Sequence, residues 1–368
     1  MGDVRIHWWR TDFGDVAADT VAQAIRTEHV SQGPLVRQFE REVANYLEVP
    51  FVVATSSGST ALLLSLMACG VGPGDEVIVP NRTWIATAHA AHLLGAKVVL
   101  CDVEVEKPVL SISDAIKKIT PKTKAIMPVS MNGRACDLAY LGEQIEGSQI
   151  RIIEDAAQAF GSKSEGAFIG TKGDVGCFSL SVAKIFSSGQ GGFVVTRAED
   201  LERALRNGRT HGVEHVEDPK EWPQAGFNFR LTDMQAALAK TQLDLVPERI
   251  EHLNLIYGLY LEGLKEIPTV NVIPVDISVG EVPVYNEVLV KNRQAFMSFL
   301  EEHNIGTRAF YPNLNRAAYL DPRPSLHFPN SLPYEAYGVY LPSGPGQSVD
   351  AINTVIETIR AGAIAGKW

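Results

Sequence analysis

The sequence predicts an α/β protein with a mostly parallel central sheet flanked by helices, followed by a smaller C-terminal α/β domain. Two observations carry this prediction. Over the first two thirds, short apolar runs alternate with helix-period patterns, the alternation that builds right-handed βαβ crossovers. After about Leu245, long helical text gives way to β-rich text and two further helices. The expected division is therefore 13–245 and 246–368, with residues 1–12 open to joining the second unit. A length of 368 residues suits about two domains.

The elements follow in order. Phe39 to Leu47 carries apolar residues at 39, 43 and 47, one face of a helix. Phe51-Val-Val-Ala54 reads as a strand, and Ser59 to Cys69, apolar nearly all round, as a buried helix. Gly72-Pro-Gly-Asp75 is turn chemistry before a strand, Glu76-Val-Ile-Val-Pro80, closed by its proline. A helix from about Thr83 to Leu94, a strand at Lys97 to Cys101, a helix from about Ser113 to Ile119 and a strand at Lys124 to Val129 come next. Arg151-Ile-Ile-Glu154 is a strand that delivers Asp155, and Phe193-Val-Val-Thr196 is another. Long helical text runs from Asp233 to about Lys265. Thr269–Asp276 and Val282–Val290 are β-rich, and helices are expected at about Asn292–His303 and Val349–Arg360.

Composition narrows the function classes. With 33 Lys+Arg against 43 Asp+Glu, the net charge is −10. Such a chain is ill suited to hold nucleic acid or anionic lipid on a broad surface. Four dispersed cysteines (Cys69, Cys101, Cys136, Cys177) form no C-x-x-C pair, which speaks against a disulfide framework or zinc site. The first ten residues lack a signal peptide's apolar core, and the longest apolar stretch, Ala61 to Val71, is too short to span a bilayer. A soluble, cytoplasmic protein is expected.

Ligands of open α/β sheets bind beyond the carboxyl ends of the strands, so residues just after strands carry most weight. Asp155 ends a strand and faces small residues, Ala156-Ala-Gln158. It reads either as a ligand-facing carboxylate or as a helix N-cap. Lys184 is embedded in Val182-Ala-Lys-Ile-Phe186. Its ammonium either snorkels to solvent or is buried with a depressed pKa, as a Schiff-base lysine requires. Ser56-Ser-Gly-Ser-Thr60, between a strand and a helix start, is either plain capping or a phosphate cradle. Together, a phosphate cradle, a strand-end aspartate and a buried lysine 29 positions later (184 − 155) are the parts pyridoxal phosphate needs.

Rival motifs fail on context. Gly70-Val-Gly-Pro-Gly74 precedes a strand where a dinucleotide fingerprint must follow one, and no G-x-S-x-G or H-E-x-x-H occurs. His89/His92 and His211/His215 have helical spacings but no carboxylate or cysteine partner in the text, so ordinary polar histidines and no metal are expected.

The ordered motifs resemble the DegT/DnrJ/EryC1/StrS family of pyridoxal-phosphate-dependent nucleotide-sugar aminotransferases. The likeness covers nearly the whole chain. It runs from Gly33-Pro-Leu-Val-Arg-Gln-Phe-Glu40 through Gly58-Ser59, Thr83-Trp84, Glu154-Asp-Ala-Ala-Gln158, Gly173-Asp-Val-Gly-Cys-Phe-Ser179, Lys184 and Gly191-Gly192. It continues in Gly226-Phe-Asn-Phe-Arg230 and Thr232-Asp-Met-Gln-Ala-Ala237. The resemblance implies a fold-type I transferase with Lys184 as the Schiff-base lysine and Asp155 at the pyridine nitrogen. It further implies Gln158 at the ring hydroxyl, Trp84 on the ring face, and Gly58, Ser59 and the Ser179 hydroxyl on the phosphate. Asn228 matches an asparagine that reaches the phosphate of the neighbouring subunit, which implies a homodimer with shared active sites.

Beside these implied roles, Trp84 also reads as core packing and Ser179 as an ordinary strand serine. Arg230, Arg308 and Tyr311 are candidates for holding the substrate, because a nucleotide diphosphate needs cationic partners in an acidic protein. Surface salt bridges are the competing reading of those arginines.

Three departures from the family pattern stand out, the first being Ser59 where the family often has threonine, which keeps the hydroxyl. Tyr311-Pro-Asn-Leu-Asn315 ends on asparagine where the family has histidine, and the common His-Pro-Thr before the lysine is missing. The expected activity is transfer of an amino group from an amino acid, glutamate by expectation, to a nucleotide-linked keto-sugar. A sugar dehydratase or a non-catalytic regulatory protein holding the same cofactor are the alternatives. The family's dehydratase branch typically has histidine at the lysine position, so Lys184 counts against the first of these.

Overall fold

The computed structural model describes residues 5–214, 216–320 and 327–368. Seven strands form the main sheet: β1 (Phe51–Thr55), β2 (Glu76–Pro80), β3 (Lys97–Cys101), β4 (Thr123–Ile126), β5 (Arg151–Asp155), β6 (Val175–Ser179) and β7 (Gly192–Thr196). Their spatial order is β1-β7-β6-β5-β4-β2-β3. Strand β7 runs antiparallel to both β1 and β6, while the other six share one direction. The expected α/β class with a mostly parallel sheet is what the chain adopts. β2 and β7 are buried along their whole length, as strands covered on both faces must be.

This topology collects the site. The ends of β1, β5 and β6 lie on the carboxyl edge, and the antiparallel β7 starts from that same edge. The connection 180–191, which carries Lys184, therefore stays there. Ile185 and Phe186 bury fully into an aromatic core with Phe39, Phe160, Phe178 and Phe193 and pin that connection down.

Helix boundaries differ from the expected ones for local reasons. The buried helix is Gly58–Ala68, starting one residue early because Ser57 and Thr60 close a reciprocal capping box. The long helical text is two helices, Asp233–Leu243 and Val246–Leu264. Pro247 lies in the first turn of the second and has no N–H for the Leu243 carbonyl, so one continuous helix is ruled out. Helices Gly14–Arg26, Leu138–Gln144 and Glu199–Arg209 were not expected. The last is mostly polar but keeps a helical period, burying Leu201, Leu205, Gly208 and Arg209 on one face.

A second, antiparallel sheet contains β8 (Asn271–Val272), β9 (Asn286–Leu289), β10 (Arg308–Ala309) and β11 (Gly338–Leu341), in the order β8-β9-β11-β10. The β-rich text thus shrinks to two short strands and gains two partners too short to show a period. Ile6 bridges Ile305 and Trp9 bridges Ser343, so the N-terminal segment lies beside this sheet. Helix Val349–Ile364 buries Ile352, Val355, Ile356 and Ile359 in a core shared with Val36 and Phe39.

Candidate active site

A cleft of about 400 Å³ opens at the carboxyl edge of the main sheet. Nine of the eleven residues singled out from sequence line it: Gly58, Ser59, Trp84, Asp155, Gln158, Ser179, Lys184, Arg308 and Tyr311.

At its floor, Asp155 ends β5 and is buried. Turns rather than a helix follow it, so it caps no helix. Burial pushes its carboxyl up from the usual range, and two hydrogen bonds oppose that: Thr87 Oγ1 donates to Oδ2 at 2.7 Å and the Ala157 amide to Oδ1 at 3.1 Å. The nearby Lys184 charge pulls the same way as these bonds.

Lys184 does not snorkel to open solvent. Desolvation lowers its pKa from 10.5 to about 8, with the Arg308 charge adding to the shift and Asp155 opposing it. Its Nζ lies 3.4 Å from the Tyr285 hydroxyl, which itself donates to the Ala183 carbonyl at 2.7 Å. The lowered pKa raises the share of neutral amine near neutral pH, the form that imine chemistry needs.

At one end, the capping box satisfies the amides of Ser57 and Thr60. The amides of Gly58 and Ser59 remain at the helix N-terminus beside the cleft, an arrangement suited to an anion. Close packing keeps this corner bare: a Cβ on Gly58 would stand 2.8 Å from the Ser179 Cβ. One on Gly192 would stand 2.6 Å from the Gly58 nitrogen. The residues present therefore fit pyridoxal phosphate, with a phosphate corner, a deep carboxylate and an amine lining one cleft.

The upper walls are aromatic. Trp84 is 47% exposed and meets Tyr311 edge-on at 5.3 Å, which excludes the core-packing reading. Arg308 stacks over Trp8 at 5.2 Å and lies 6.0 Å from Trp84, and no carboxylate pairs with it among the described residues. Gln158 accepts a hydrogen bond on Oε1 from the Asn132 amide at 3.0 Å. Ser179 lines the phosphate corner, and its hydroxyl accepts from the Ser181 amide at 3.3 Å.

Asn228 and Arg230 lie outside this cleft. Asn228 is exposed, and Arg230 Nε donates to its Oδ1 at 2.8 Å. Arg230 instead lines a second cavity with Arg37, Arg206 and Arg209. Asn315, the departure from the family pattern, is tied through its amide to Asn81 Oδ1 at 2.9 Å and does not line the cleft.

Sequence reasoning missed Tyr285, Thr87, Asn132 and Trp8, which reach the cleft or its supports from segments without any motif. His89 and His92 pack on Tyr319, and no metal-holding cluster exists among the described residues. His215 lies outside them. All four cysteines are free and buried, and no described helix is long and apolar enough to cross a membrane.

The model of the DegT/DnrJ/EryC1/StrS aminotransferase family matches residues 12–360. The chain belongs to this family. It is an aminotransferase and its cofactor is pyridoxal phosphate, as the ordered motifs implied. It is 32% identical over 343 residues to a GDP-perosamine synthase of Vibrio cholerae, covering 90% of this chain and 91% of that protein. It is 35% identical over 284 residues to a UDP-N-acetyl-3-dehydro-α-D-glucosamine 3-aminotransferase of Acidithiobacillus ferrooxidans, covering 75% and 74%. Among solved structures, S. venezuelae DesV in complex with a ketimine intermediate superposes with a TM-score of 0.91 at 30% identity, covering 98% of each chain.

Proposed function

We propose that this chain transfers the amino group of an amino acid, L-glutamate, to a nucleotide-linked keto-sugar during amino-sugar biosynthesis. The observation that carries the reading is one cleft lined by a desolvated amine, a buried carboxylate and a bare helix N-terminus. The names of the sugar-modifying relatives support the substrate class.

When bound, pyridoxal phosphate supplies an electron sink for charge developing at the amine-bearing carbon. The protein's own groups do the rest. The amides of Gly58 and Ser59 and the Ser179 hydroxyl hold the phosphate, and Trp84 covers the ring face. Asp155, kept polar by Thr87 and Ala157, faces the ring nitrogen, and Gln158 donates to the ring hydroxyl. Lys184 would hold the cofactor through its Nζ and, when free, would be the proton-carrying group in the cleft. Arg308 and Tyr311, which line the cleft, bind the substrate; Arg230, which lies outside it beside Asn228, would do so only in the partner's site.

The same proposal includes a cytoplasmic homodimer in which Asn228 of one protomer completes its partner's phosphate site. It also includes two units, 13–245 and 246–368, the latter joined by residues 1–12. Lys184 argues against the dehydratase reading. A regulatory protein without turnover would keep its output after Lys184→Ala.

The test loads the enzyme with pyridoxamine phosphate and screens nucleotide-linked keto-sugars for the matching spectral change. Silence across the panel refutes the substrate class. Borohydride reduction with peptide mapping must place the cofactor on Lys184; an adduct elsewhere refutes the assignment of the reacting amine.

A further inference from the structure

Asn132 is fully buried, yet it holds a left-handed backbone conformation, φ 53°, that non-glycine residues rarely adopt. Asparagine tolerates this conformation better than most non-glycine residues, and surrounding contacts hold it in place. Here the contacts join the two sheets. The Asn132 amide donates to Gln158 Oε1 at 3.0 Å on the main-sheet side. Its side chain then pairs with the Tyr285 backbone in both directions: Oδ1 accepts from the Tyr285 amide at 2.7 Å, and Nδ2 donates to the Tyr285 carbonyl at 2.8 Å. Nδ2 also reaches Glu287 Oε2 at 3.0 Å, where the buried Arg134 Nη1 donates at 2.7 Å. Next along the chain, Gly133 packs so closely that a Cβ there would stand 2.1 Å from the Val282 carbonyl oxygen.

Tyr285 is the cleft wall beside Lys184. We infer that Asn132 is a positioning residue that sets the Tyr285 phenol against the Lys184 amine, by clamping the Tyr285 backbone to the loop that also anchors Gln158. The inference rests on the proposed reading of Lys184 as the reacting amine. Nothing in the sequence pattern marks Asn132, whose contacts span about 150 positions.

The clamp has a measurable consequence. The charges acting on Lys184 are Asp155 at the end of β5 and Arg308 on β10, the Tyr285 phenol just before β9 contacts it, and Tyr311 and Tyr340 line the same cleft. Loosening Tyr285 leaves both charges in place and lets water reach the amine, and hydration favours the ammonium form.

The experiment follows the pH dependence of Lys184 acylation, by peptide mapping, in the full-length protein freed of cofactor. Tyr285→Ala and Asn132→Gly are each expected to raise the midpoint by about one pH unit. Glycine keeps the backbone amide on Gln158 and tolerates the positive φ, so Asn132→Gly removes the side-chain bonds to Tyr285 and Glu287 and leaves the backbone contact. The double variant is expected to shift no further than Tyr285→Ala alone, because the two residues act in series. Asn132→Ser, which still offers a hydroxyl to the Tyr285 amide, should show a smaller shift in the same direction and serves if the glycine variant does not fold. An unchanged midpoint in Tyr285→Ala overturns the inference. So does an unchanged midpoint in a folded Asn132 variant, or full additivity in the double variant. Because the readout needs no cofactor, its failure is separable from failure of the borohydride mapping.

Discussion

Thr87, in the first turn of the helix Ala86–Leu93 that follows β2, donates its hydroxyl to Asp155 Oδ2 at 2.7 Å, at the end of β5. The two residues are 68 positions apart, and this bond is the largest opposing influence on a carboxyl that burial drives toward protonation. Thr87→Val keeps the shape and removes the donor. The expected result is about tenfold weaker binding of pyridoxal phosphate, the cost of leaving a buried carboxylate oxygen unpaired. The loss should grow as the pH falls, because Asp155 then protonates more readily. Fluorescence titration at several pH values checks this, and equal affinity for variant and parent would remove Asp155 from the ring nitrogen.

Lys184 should titrate near pH 8 in the cofactor-free protein rather than at 10.5, because burial penalises its charged form. The folded pKa lies below the unfolded one, so the unfolded chain binds more protons between these values. Lys184 therefore weighs against folding below about pH 8, and that penalty is relieved as the pH rises toward 10.5. The pH profile of Lys184 acylation, read by mass spectrometry, tests the midpoint. In the loaded enzyme, Lys184→Ala should lower turnover by at least about 10³-fold.

Subunit sharing makes its own forecast. Lys184→Ala and Asn228→Ala should each be nearly inactive alone. Dissociated and reassociated in equal amounts, they should regain about a quarter of the parent activity, since half of the dimers are mixed and each mixed dimer has one intact site. No recovery, with mixed dimers demonstrated by mass, would show that Asn228 serves its own chain.

Arg134 and Glu287 form an ion pair in which both side chains are at most 1% exposed. Removing one partner strands a buried charge. Arg134→Met should therefore cost about 3–5 kcal/mol of stability, read from urea unfolding. Replacing both with apolar residues should recover much of the loss. Because Glu287 also meets Asn132, the single variant should disturb Lys184 titration as well.

The individual elements were largely legible in the text. The strand that carries Asp155, the buried helix after Gly58, and Lys184 between apolar anchors all announce themselves through local pattern. Ile185 and Phe186 explain why the lysine sits in hydrophobic text: they anchor the loop, and the amine turns the other way into the cleft. Pro247 was equally visible and should have split the long helix. Tyr285 and Asn132 had no comparable signal. A tyrosine before a four-residue strand and an asparagine in a three-residue turn look like any others until the two sheets are packed together.

By itself the sequence determined the α/β class, the family, and the candidacy of a strand-end aspartate and of a lysine in apolar text, because periodicity and ordered motifs are local properties of the chain. The tertiary structure decided what those groups experience. Burial sets the direction of both pKa shifts, Thr87 arrives from another crossover, and Tyr285 arrives from a second sheet. Electrostatics and hydrogen bonding depend on distance in space, and separations of 68 and 101 positions close to contact only when the chain has folded.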